Sequence, residues 1–284
     1  MRKNKIILAG SVVISLCLAH VGFAAQYGIF QTGYVNRDLI LETSKNFVAP
    51  NIAAPLIEKY ILGINPDRDE TSPNDISTKD LSKRIAGVSY CFHIDPFVFA
   101  SLIHEESINY NQHAKSPTGA KGFTQFTTIA IQEVNDQLGA RGKRYAQTDA
   151  TDYFNSVLSD DCLEKFGEFK STGKNYQALW ELGSAASLKK GSSAQAKQMA
   201  TMMTSYPEYA LIYGAILLKV NFSLVESGYK TGCYTYKTGH PVSMTDKFKE
   251  VMMMYNGDGC AVQKEYQSKI LASYYPTIMD EEKF

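Results

Sequence analysis

Apolar residues recur along this chain at helical spacing, with no sustained strand alternation. Leu81, Ile85, Val88 and Phe92 follow one another at four, three and four residues, which puts them on one face of a helix beginning near Lys79. Asp95-Pro96 then reads as a helix start, with a side-chain acceptor at the cap and a proline where no donor is needed. The helix it opens is predicted to end near Ser107. Upstream, residues 53–62 predict a short helix, and the polar stretch 65–75, rich in acids and prolines, predicts a loop. Residues 109–125 hold Pro117, Gly119 and Gly122 and lose the helical period, so they form a turn-rich excursion. Helical patterning returns over 128–138, 153–166 and 194–203, the last two flanking a Gly/Ser/Lys-rich stretch at 183–193. Pro207 opens a further helix in which Leu211, Ala215, Leu218 and Phe222 share a face. A polar linker with Gly228, Gly232 and Gly239 leads to helices near 245–255 and 262–274. The expected fold class is mainly α, with a small turn-rich or β excursion after the helix that ends at Ser107.

Composition narrows the picture without changing it. Of 284 residues, 44% are hydrophobic and 20% charged, which is enough apolar material for a core and too little charge for a disordered chain. The 29 basic residues balance the 29 acidic ones, which excludes the strong basic excess of a dedicated nucleic-acid binder.

The first residues alter that balance. Arg2, Lys3 and Lys5 precede an apolar run from Ile6 to Leu18 and then small residues, the order of a secretory signal peptide over residues 1–25. Gly22 and Ala24 fit cleavage after Ala24. The run is shorter than the ~20 apolar residues of a membrane span, so no stable membrane insertion is expected after cleavage. The mature chain then has 26 basic against 29 acidic residues. Cys17 leaves with the peptide, and Cys91, Cys162, Cys233 and Cys260 remain. An even number in an exported chain points to two disulfides, with three connectivities open. No pair has a CxxC spacing, so no metal site is expected, and no cofactor is implied.

Chemistry concentrates at Leu102-Ile-His-Glu-Glu-Ser107 and the segment after it. Glu106 follows Leu102 by four residues and Ile103 by three, so it lies on the apolar stripe near the helix end. Glu105 shares its column with Ser101 and is expected to be solvated. A carboxylate held against apolar walls has its pKa raised, and can give up a proton near neutral pH, as glycoside cleavage requires. His104 has no second histidine at zinc-protease spacing. Gly119 and Gly122 allow close backbone approach to a ligand, and Ser116 and Gln125 supply polar groups for a sugar.

Glu106-Ser107, Ala114-x-Ser116, Gly119-Ala120-x-Gly122 and Gln125 together resemble the signature of the soluble lytic transglycosylases of glycoside hydrolase family 23, in the lysozyme-like superfamily with goose-type lysozyme. The stretch 81–96 resembles that family's lead-in helix, 214–218 its Gly-Ala helix, Tyr255-Asn256-Gly257 its Ala-Tyr-Asn-x-Gly segment and Tyr266 its late tyrosine. The resemblance implies a lysozyme-like catalytic domain over residues 78–284 with an insertion at about 126–206, preceded by an N-terminal extension at 26–77. It implies peptidoglycan glycan strands as substrate, in the periplasm or outside the cell. Glu106 would be the sole catalytic acid/base. Ser116, Gln125, Tyr255 and Asn256 would bind the muramyl residue, and Tyr266 would lie near the carboxylate.

Three departures stand out. The Glu106–Ser116 spacing is one residue longer than the family's, Thr124 replaces a usual methionine and predicts a more polar cleft wall, and the insertion carries Cys162. Residues 107–132 contain no Asp or Glu, which favours a one-glutamate transglycosylase over a hydrolase needing a second carboxylate. Asp258 and Glu265 keep the hydrolase as an alternative, and a non-catalytic peptidoglycan-binding protein is the third. The mildly acidic mature chain must approach an anionic wall polymer, so Lys115 and Lys121 are expected to lend the groove positive charge.

Overall fold

Asp95 shows how closely local sequence sets the architecture. Its Oδ1 accepts from the backbone N–H groups of Phe97 and Val98 at 2.9 and 3.1 Å, closing the first turn of a helix that starts at Pro96 and ends at Ser107. The computed structural model describes residues 48–131, 134, 162–166, 194–226, 232–233, 244–256 and 260–279. The expected signal peptide and residues 26–47 lie outside them, as does most of the 126–206 insertion and Asp258.

Among the described residues the elements are α1 (Pro50–Ile64), α2 (Arg68–Thr71), α3 (Thr78–Phe92), α4 (Pro96–Ser107), α5 (Cys162–Phe166), α6 (Ala194–Ser205), α7 (Pro207–Glu226), α8 (Met244–Asn256) and α9 (Cys260–Met279). The described part is mainly α, and its only β pairing is two isolated bridges in the excursion, Lys115 with Lys121 and Lys121 with Phe126. No described helix is long and apolar enough to cross a membrane.

The predicted stripe of α3 forms the core: Leu81, Ile85, Val88 and Phe92 are fully buried. Each such burial stabilises the fold by about 1.5–3 kcal/mol. Against them pack α1, through Ala53, Ile57 and Ile61, and α7, through Leu211, Ala215 and Leu218. Helix α1 therefore belongs to the same core as the helices it precedes. The catalytic-candidate helix α4 packs on α1, α3 and α9, and α7 on α6 and α8.

Residues 65–75 are not the plain loop predicted. They contain α2, whose Arg68 is buried rather than solvated. Its Nε donates to the Tyr110 carbonyl at 3.1 Å and Nη1 to the Ile76 carbonyl at 2.8 Å, so a charged residue serves as a clamp between chain segments. That contact reaches the turn just after α4. Of the three open connectivities, the fold takes Cys91–Cys162 and Cys233–Cys260, with Cα separations of 5.8 and 5.2 Å. The first ties the insertion back to α3, and the second fastens the start of α9.

Candidate active site

Glu106 sits in the last turn of α4, where the apolar face of the helix runs out into a cleft of about 1210 Å³. It is half-buried. Burial raises its carboxyl from the ordinary 4.5 to about 7, the Tyr266 hydrogen bond pulls the other way, and neighbouring Glu105 adds to the rise. The Tyr266 phenol donates to Glu106 Oε1. Tyr266 itself is buried, and burial pushes its phenol well above the usual tyrosine range, so it remains a donor throughout the physiological range. The packing of α9 on α4 is what brings these two groups together.

The chain after α4 turns sharply. Ile108, Asn109 and Tyr110 all adopt positive φ, at 50°, 63° and 63°. Such conformations are costly for side-chain-bearing residues, most of all for β-branched Ile108. The turn is held from several sides. Tyr110 Oη donates to the Ala100 carbonyl at 2.9 Å, Asn109 Oδ1 meets His104 Nε2 at 2.9 Å, and Arg68 holds the Tyr110 carbonyl. The outcome is an excursion folded back over the end of the catalytic-candidate helix.

The structure brings Glu106, Ser116, Gln125, Tyr255, Asn256 and Tyr266 to the walls of this one cleft. Their individual roles differ from one another. Ser116 Oγ accepts from the Ala120 N–H at 3.1 Å and lies 2.7 Å from Thr118 Oγ1, shaping the excursion as well as facing the cleft. Gln125, at φ 48°, spends its Nε2 on the Ala114 and Gly122 carbonyls at 3.0 and 2.9 Å. Its amide nitrogen braces the loop instead of waiting for a sugar. Tyr255 Oη donates to the Thr124 carbonyl at 3.3 Å, fixing α8 against the excursion.

Four expectations are corrected here. Glu105 is half-buried and lines the cleft, with Oε1 at 3.4 Å from His104 Nδ1, because α9, with Tyr266 and Lys269 near this carboxyl, packs on α4. Thr124 is buried and its Oγ1 donates to the Ala210 carbonyl at 2.8 Å, so its hydroxyl serves α7 and adds little polarity to the wall. Gly122, at φ 78°, admits the backbone of α6 and not a ligand: a Cβ there would lie 2.7 Å from the Met203 carbonyl oxygen. Lys115 lines the cleft, whereas Lys121 lies off it.

Sequence reading also missed Asn221 and Gln263, both buried residues of the cleft wall. For Asn221 a signal was present: it follows Gly214 by seven residues, two turns, so the two share one face of the helix. Gln263 Oε1 lies 3.2 Å from Cys233 Sγ, which joins the second disulfide to this wall. Glu265, the alternative second acid, is exposed and paired with Lys269 at 2.9 Å. Among the described residues there is no group of three or more His, Cys, Asp or Glu side chains placed to hold a metal ion.

In comparisons with known proteins, no family profile matches the chain, and no curated protein or solved structure matches it either.

Proposed function

We propose that this chain is a peptidoglycan lytic transglycosylase that works outside the cytoplasm. It would cleave the β-1,4 bond between N-acetylmuramic acid and N-acetylglucosamine and leave a 1,6-anhydromuramyl end. The observation that carries this reading is Glu106: one carboxyl in a cleft wall, shifted to about 7 by burial and gripped by a buried phenol. The motif resemblance supplies the substrate class, and the two disulfides together with the apolar leader fit an exported protein.

The steps follow from a single group that gives and then takes one proton. Glu106 protonates the glycosidic oxygen as the bond from muramyl C1 breaks, and the bonding pair leaves with the glucosamine hydroxyl. The muramyl acetamido oxygen stabilises the cation developing at C1. Glu106, now a carboxylate, accepts the proton of the C6 hydroxyl, and O6 closes onto C1. The carboxyl is restored and no water is consumed. Tyr266 stabilises the carboxylate half of this cycle, and desolvation stabilises the acid half, so a pKa near 7 serves both.

A specific observation favours a second reading, a lysozyme-type hydrolase. Glu105 places a second carboxylate on the wall of the same cleft, and inverting hydrolysis needs such a group to activate water.

Purified sacculi test the shared core of both readings. Wild-type protein should release soluble fragments, and Glu106→Gln should lose turnover by about 10³-fold while still sedimenting with the wall. Wild-type digestion by the variant would remove Glu106 from the chemistry.

A further inference from the structure

Ile108 stands at the C-cap of α4 with φ 50°, where a helix ending in left-handed backbone usually places glycine or asparagine. A β-branched side chain is strained in that conformation. It is also 75% exposed, the most exposed large apolar side chain among the described residues, so burial does not offset the strain. Asn109, the next residue, has a similar φ and a side chain that tolerates it. Neither the local backbone nor the core therefore explains an isoleucine at 108. What distinguishes the position is its place on the cleft wall, two residues after Glu106. The turn is held from outside by the Tyr110, Asn109 and Arg68 hydrogen bonds, and strained backbone so held is characteristic of ligand clamps.

We infer that Ile108 is a specificity-determining residue which, with Lys115, receives the peptide stem of a muramyl residue, so that stem-bearing strands are preferred to stripped ones. The inference rests on the glycan-cleaving reading above. Glu106 is half-buried and Ile108 exposed, which puts the isoleucine outward of the carboxyl, on the rim of the cleft. A sugar held for proton transfer lies against Glu106. The rim meets the part of the substrate that leaves the cleft, and from a muramyl ring that part is the lactyl ether with its peptide. The first groups of that stem are methyls, and carboxylates follow them. Lys115 lines the same cleft, is exposed and has no acidic partner among the described residues. An apolar contact followed by a free cation matches the order of groups along the stem. His113, between the two, is tied to Asp75 at 3.0 Å, which steadies the segment that carries them. That segment, from Glu106 to Ser116, is one residue longer than in the family the chain resembles, so the rim is particular to this chain.

The test uses the full mature chain carrying Glu106→Gln, so that bound glycan stays intact. Two probes are compared by calorimetry: a four-sugar strand of alternating N-acetylglucosamine and N-acetylmuramic acid with tetrapeptide stems, and the same strand after an amidase has removed the stems. The parent should prefer the stem-bearing strand by roughly tenfold, the scale of covering one or two methyl groups. Ile108→Asn should erase most of that preference while raising the melting temperature of the free protein, because asparagine suits this backbone. Ile108→Gly should do the same, which separates loss of the isoleucine from any effect of the new amide. Lys115→Gln should weaken binding of the stem-bearing strand by roughly threefold at low salt, and the difference should fade at high salt. A parent that binds both strands equally overturns the inference. So does an unchanged preference in the Ile108 variants, or an equal loss for both strands, since the side chain would then touch the sugars. A melting temperature that falls in both Ile108 variants overturns it as well, because the isoleucine would then serve the fold. Unaltered low-salt affinity in Lys115→Gln overturns the lysine's part. Digestion of sacculi by the unmutated enzyme is read in parallel. Digestion with an unmoved preference sinks the stem site alone, whereas intact sacculi with a preference that depends on Ile108 sink the cleavage reading alone.

Discussion

The Tyr266 phenol donates to Oε1 of Glu106 across 160 residues of sequence, joining the last described helix to the helix that ends at Ser107. This bond favours the carboxylate, whereas burial favours the acid, and burial wins. Tyr266→Phe removes the opposing contribution and leaves the desolvation in place. The glutamate should then hold its proton to higher pH. In a pH profile of kcat/KM on solubilised glycan, the fall in rate on the alkaline side should move to higher pH, and the maximal rate should drop by about tenfold. A profile that moves to lower pH would contradict the assigned bond.

Stability should carry the same signature. The folded chain holds a proton on Glu106 that the unfolded chain releases, because the group titrates at about 7 when folded and near its ordinary 4.5 when not. Its contribution is therefore fully present in acid and is lost as pH rises through that window. Glu106→Gln has no such titration. Chemical denaturation should find the variant more stable than wild type by about 1–3 kcal/mol at about pH 8, with the gap closing near about pH 4. A gap independent of pH would mean that the carboxyl is not desolvated.

Packing at the other side of the cleft is equally specific. A Cβ at Gly214 would lie 2.6 Å from Thr124 Cγ2 and 3.3 Å from Tyr255 Oη. Thr124 is tethered to the Ala210 carbonyl and cannot swing away cheaply. Gly214→Ala should destabilise the protein by about 1–3 kcal/mol, the usual cost of overpacking. Adding Thr124→Ser removes the clashing methyl while keeping the hydroxyl, and should recover most of the loss in a thermal melt. Failure of the second change to rescue the first would place the strain elsewhere.

Legibility followed the range of the interactions. The α3 stripe and the Asp95-Pro96 cap depend on neighbours within a few residues, and both appear where the sequence puts them. The excursion between Asn109 and Gln125 was legible from its glycines and proline, and so was the helix opened by Pro207. What was not legible depends on partners far along the chain. Glu105 reads as solvated on an isolated α4, and the packing of α9, some 160 residues later, half-buries it. Arg68 reads as a loop cation until Tyr110, 42 residues later, offers its carbonyl. Gly122 reads as a ligand-approach glycine until the α6 backbone fills that space. Gln125 lines the cleft, but its commitment to two loop carbonyls depends on a turn that the residues alone do not specify.

In the proposed reaction one glutamate cleaves the glycan and the sugar's own O6 closes the product. Mass spectrometry of muropeptides released from purified sacculi tests it most directly. Muramyl ends should be one water lighter than hydrolysed reducing ends, with their formation abolished by Glu106→Gln and retained in Glu105→Gln. Reducing muramyl ends as the main product, lost when Glu105 is replaced, would contradict it and establish the two-carboxylate hydrolase instead.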